Sequence, residues 1–112
     1  MFVRVARFEG ATAEGIDRRV AAIKANMAED ARDGMPAGME KVKGVLVLVD
    51  RDNGRMTNLV FCDTRADLEA ADAALDQMTP GEEGGRRSSV EMYETAIEET
   101  MAGLDLGVHG GS

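Results

Sequence analysis

The sequence predicts an α+β domain in the order β-α-β-β-α-β, a four-stranded antiparallel sheet with two helices on one face. Three observations carry this. Val45-Leu46-Val47-Leu48-Val49 is apolar at every position, and side chains alternate across a strand, so both faces of that strand ask for cover. Only two segments have good helical periodicity. Between the apolar run and the next one lies Asp50-Arg51-Asp52-Asn53-Gly54-Arg55, whose Asn-Gly pair is a strong hairpin signal.

Phe2 to Phe8 reads as the first strand, with Val3 and Val5 on one face, Phe2, Ala6 and Phe8 on the other, and Arg4 interrupting the second set. Gly10 ends it. Thr12 is the expected N-cap of a helix to about Ala31, with Glu14 placed to favour the helix dipole. Ile16, Val20, Ile23 and Met27 step by helical intervals and form one stripe. Gly34, Pro36 and Gly38 break the helix, and Met35 and Met39 in that loop are expected to cap one end of the core. Val42 to Val49 is the second strand and Thr57 to Cys62 the third. Asp63 or Thr64 caps a second helix, whose buried stripe is Leu68, Ala71, Leu75 and Met78; Thr79-Pro80-Gly81 stops it. Glu82 to Arg87 reads as a charged loop and Ser89 to about Ile97 as the fourth strand. Residues 1–101 make one domain, and residues 102–112 a Gly-rich flexible tail.

Composition narrows the function classes. Among 112 residues the net charge is −8, which argues against nucleic acid and against an anionic membrane surface, since both reward excess Lys and Arg. No apolar run is long enough for a membrane-spanning helix, and Met1-Phe2-Val3-Arg4-Val5 does not read as a signal peptide. The single cysteine, Cys62, excludes an internal disulfide and suits a reducing cytoplasm. Clustered His or Cys for zinc or iron is absent from the sequence. The Asp50 loop lacks the Gly and Glu spacing of a calcium site. No metal or cofactor is expected. An RNA-recognition domain shares the element order, but Thr57 to Cys62 supplies one aromatic and no charge.

Right-handed crossovers place both helices on the same sheet face. The other face is then bare in a single chain and carries one set of the Val45–Val49 side chains. Each buried Val or Leu contributes roughly 1.5–3 kcal/mol, so five or six of them offset the ~4–15 kcal/mol lost on association. A homodimer through that face is expected.

The element order, the strand Gly44 to Asp50, the Asp-Arg-Asp-Asn-Gly hairpin, Leu59-Val60-Phe61, the helix opened by Asp63 to Leu68, and Val90-Glu91-Met92-Tyr93-Glu94 together resemble the dimeric α+β barrel superfamily. More narrowly, they resemble its antibiotic biosynthesis monooxygenase-like (ABM-like) domains. The resemblance spans about residues 2–98. It implies that two ferredoxin-like chains pair their sheets into a barrel, and that each holds a small apolar or aromatic ligand between sheet and helices. It also implies, for some members, cofactor-free oxygenation of quinol, phenolic or polyketide-like substrates, and for others haem degradation. The Trp and His of those sites have no counterpart here: the chain has no Trp, and its one His, His109, is in the tail. No catalytic residue is carried over.

The ligand-lining residues expected are therefore Met27, Phe61, Met78 and Met92, for an adaptable apolar pocket, with Tyr93 and Arg86 as polar candidates. Tyr93 could orient a phenolic ligand, though packing is the usual role of such a residue. Arg86-Arg87 could close over an anion, though Glu82 and Glu83 offer local pairs. Asn58 and Asn26 read as strand-edge and helix-turn residues, and Cys62 as a small core hydrophobe. Ligand binding, cofactor-free monooxygenation and a structural or regulatory interaction module are the three functional alternatives.

Overall fold

Alternation along the strands sets which residues meet. The computed structural model describes residues 1–77, 85–99 and 101. The elements are β1 (Phe2–Glu9), α1 (Ala13–Asp33), β2 (Val42–Asp50), β3 (Arg55–Cys62), α2 (Arg65–Asp76) and β4 (Arg86–Glu94). They form one antiparallel sheet in the order β2-β3-β1-β4. This is the ferredoxin-like arrangement expected, with an open sheet. No described helix is long and apolar enough to cross a membrane. The expected flexible tail, residues 102–112, lies outside the described residues.

Register sorts the side chains onto two faces. Phe2 faces Cys62, Arg4 faces Val60 and Ala6 faces Asn58 across β1 and β3, while Val45 faces Val60 and Val47 faces Asn58 across β2 and β3. These residues share the helix side, because Val60 and Cys62 pack with Leu68 and Ala71 of α2. The opposite face carries Val3, Val5, Leu46, Leu59 and Phe61.

That second face is less bare than the sequence implies. Val3, Val5 and Phe61 are already buried in a single chain, with Met1, Leu46 and Leu59 packed against them. Leu48 and Tyr93 stay exposed, at 51% and 49%.

Both helices start where a threonine caps them. Thr12 Oγ1 accepts from Gly15 N–H at 3.0 Å, and Thr64 Oγ1 from Asp67 N–H at 3.1 Å. Without these bonds, two of the orphan donors at the helix starts would have no partner. α1 runs two residues past the expected Ala31 and stops at Gly34, whose N–H donates to Asp30 O at 2.8 Å. The hairpin closes through Gly54 at φ +65°, where an added Cβ would collide with Ala11 O. Ala11 N–H donates to Gly54 O at 3.0 Å, tying the hairpin tip to the start of α1.

β4 begins three residues earlier than expected and ends three earlier. Its partner dictates this: Arg86 pairs with Glu9 and Glu94 with Phe2, so β1 is used up. Thr95 then donates to Met1 O through its N–H and its hydroxyl, both at 2.9 Å. Ile97 follows outside the sheet, 82% exposed.

Candidate functional site

The two helices approach the sheet differently. α2 lies close against β1, β2 and β3. Ala71 and Leu68 on its inner face are buried. Arg4, 4% exposed, reaches it from β1 and donates through Nε to Asp72 Oδ1 at 2.7 Å, with Asp76 at 3.5 Å. A guanidinium this buried needs such partners. On α1 the stripe is buried only at its start. Ile16 is fully buried, Val20 and Ile23 are partly so, and Met27 is 51% exposed.

A cavity of about 270 Å³ fills the space between α1 and the sheet. Ile23 and Met27 of α1 face Val45, Val47 and Val60 across it, with Met35, Pro36 and Met39 of the α1–β2 loop and Leu75 of α2 completing the apolar wall. The loop is held there by Gly38. At φ +92° it sits so close to α2 that an added Cβ would stand 2.8 Å from Ala70 O. Arg4, Arg19, Asn26, Asp30 and Asn58 are the polar members of the lining. A void of roughly 150 Å³ suffices for benzene, so this one admits a molecule of one or two rings.

Asn58 is the notable polar group. β3 starts at Arg55, so Asn58 lies within the strand, between Ala6 and Val47, and not at its edge. Its Oδ1 is fully enclosed and accepts no hydrogen bond. Native structures leave few buried polar atoms in that state. Its alternation with Val60 and Cys62 is the sequence signal that puts it on the helix side.

The other expected lining residues are scattered. Met27 lines the cavity. Phe61 and Tyr93 pair with Val3 from either side, on the opposite face of the sheet. The Tyr93 hydroxyl donates to Glu91 Oε2 at 2.6 Å, and that bond to a carboxylate holds the phenol above the usual tyrosine value. Met92 pairs with Arg4 on the helix side of β4 but is 45% exposed and outside the cavity wall. Arg86 belongs to the first pair of β4, facing Glu9, and neighbouring Arg87 binds Asp76 at 2.7 Å. Met78 lies outside the described residues, as do Glu82 and Glu83. Cys62 is enclosed; burial, then Asp67 and Asp63, push its thiol up and away from the reactive thiolate.

A larger hollow of about 450 Å³ opens at the hairpin end of the sheet, among Arg7, Phe8, Leu48, Asp50, Arg55 and Thr57. Its arginines are already matched, Arg55 to Asp50 and Arg7 to Glu91, each at 2.7 Å, and Glu9 adds a further carboxylate to the lining. The smaller, apolar cavity is the better ligand site. Among the described residues, no group of three or more His, Cys, Asp or Glu is arranged to hold a metal. No family model matches the chain, and no curated protein sequence matches it.

Proposed function

We propose that this protein binds a small, largely apolar ligand in the space between α1 and the sheet. The cavity itself supports this reading: an amphipathic helix keeps its apolar stripe off a sheet that is apolar beneath it, and the walls are Met, Val, Ile and Leu. Leaving that surface uncovered forgoes roughly 25 cal/mol per Å² of burial, which an apolar guest would recover. Thermal denaturation with a panel of one- and two-ring hydrocarbons tests it. A guest at a hundredfold excess over its Kd stabilises the fold by about 2.7 kcal/mol. The shift in Tm should saturate, and should vanish in Ile23→Trp, which fills the void. No shift with any member of the panel would overturn the reading.

A second copy pairing through the opposite face is the companion proposal. It is supported by exposed Leu48 and Tyr93 beside the apolar strip of Val3, Val5, Leu46, Leu59 and Phe61. Sedimentation should give a dimer, and Leu48→Asp a monomer; a wild-type monomer at micromolar concentration would remove it. Cofactor-free oxygenation needs a base beside the substrate. The titratable side chains in the lining are Arg4, Arg19 and Asp30, and of these Asp30 is the one able to serve as that base.

A further inference from the structure

From the unpaired guanidinium of Arg19 in the cavity wall, we infer that the ligand is an amphiphilic acid, a one- or two-ring apolar body with a single carboxylate head bound by Arg19. This rests on the ligand-binding reading above and specifies its chemistry. Arg4 and Arg19 line the cavity, and Arg7 and Arg55 line the hollow at the hairpin end. Arg4, Arg7 and Arg55 each hold a carboxylate at 2.7 Å. Arg19 is half-buried, yet among the described residues it forms no ion pair. The acidic residue nearest to it in sequence, Asp17, is bound to Arg51 at 2.9 Å. The planar fork of a guanidinium matches both oxygens of a carboxylate at once, and it is weakly hydrated for a cation, so it exchanges water for such a head readily.

The apolar wall begins beside it. Ile23 and Met27 follow Arg19 at steps of four on α1, so the three lie along one side of the helix, and all three line the cavity. A body lying along Ile23 and Met27 brings its head to Arg19. Asp30 also lines the cavity and, among the described residues, also forms no ion pair. It lies three turns further along α1, about 16 Å away by helical rise, beyond the screening length of about 8 Å at physiological salt. The Arg19 end therefore stays positive. A cation held at Asp30 is the rival arrangement, and the net charge of −8 would assist its approach. A preference for an anion is thus a local effect, opposed by the protein as a whole.

The test compares naphthoate, naphthamide and naphthylmethylammonium by calorimetry against the full-length protein at neutral pH. Naphthoate should bind about fivefold more tightly than naphthamide, the gain of one charge-assisted contact at a half-exposed site, and the ammonium should bind weakest. In Arg19→Gln the naphthoate-to-naphthamide ratio should fall to about one or below, with naphthamide still bound. In the wild type, the Arg19 Nε–H resonance should move on titration with naphthoate and hold its place with naphthamide, a readout that needs no variant to fold. Equal affinity of naphthoate and naphthamide for the wild type overturns the inference while leaving the cavity reading intact. So does a ratio that persists in Arg19→Gln. Tightest binding of the ammonium overturns it in favour of a head at Asp30. Failure of all three probes to bind overturns both readings.

Discussion

α1 and α2 carry apolar stripes of the same kind, yet α2 buries more of its own: Leu68 and Ala71 are buried and Leu75 partly so. The stripe of α2 includes Ala71, with Ala74 beside it, and small side chains let the helix settle close to the sheet, where the Arg4–Asp72 pair at 2.7 Å clamps it. α1 is fixed near its first turn, through buried Ile16, the Ala11–Gly54 bond and the Arg51–Asp17 pair at 2.9 Å, and is progressively more exposed toward Met27. Hydrophobic periodicity says which face of a helix turns inward. How near the helix then lies depends on side-chain size and on the cross-links that hold it.

Truncation should separate the helices most sharply. Leu68→Ala and Ile16→Ala each remove a fully buried side chain and should cost about 3 kcal/mol in urea denaturation. Met27→Ala, at a half-exposed site, should stay within about 0.5 kcal/mol. Equal losses at Met27 and Leu68 would mean that α1 is packed as α2 is. Asp72→Ala comes next. It strips the closest partner from a buried guanidinium, an effect of up to about 3 kcal/mol that retained Asp76 moderates. Arg4→Met should be much milder, because it removes the charge that needs pairing. Asn58→Leu should raise stability by about 1 kcal/mol in the ligand-free protein, by removing an unanswered acceptor; a loss of that size would show that Asn58 is bonded after all.

The smallest effect concerns the hairpin that holds α1. The side chains of Asn53 and then Arg55 bond the Asp50 carboxylate and keep it below the ordinary aspartate value of 3.8. A folded value below the unfolded one stabilises the fold at any pH above 3.8, and that contribution fades as the pH falls through the folded value. An Asp50→Asn variant should therefore melt with less dependence on pH in the acid range than the wild type. NMR titration of Asp50 checks the direction directly.

Much of the fold was legible in the residues. The Val45–Val49 run, the Asn-Gly turn and the two capping threonines act locally, so pattern alone finds them. The end of β4 was not legible, because Ala96 and Ile97 look like strand residues and only the length of β1 rules them out. The site was partly legible. Helical spacing puts Met27 on the inward stripe of α1. Asn58 reads as an edge residue when β3 is begun at Thr57, two residues late, and strand starts are poorly marked when Arg and Met open them. Arg86 read as loop because two arginines after glycines resemble one; its pairing with Glu9 is a long-range fact.

The junction of Gly54 with Ala11 anchors the near end of α1. α1 has 21 residues, and at 1.5 Å per residue its far end lies roughly 30 Å from that point. By simple leverage, a tilt of about 5° there swings the far end by about 3 Å, comparable to the thickness of an aromatic ring. A side chain forced into position 54, remote from Met27 and Ile23, should therefore change how far α1 stands from the sheet across the cavity.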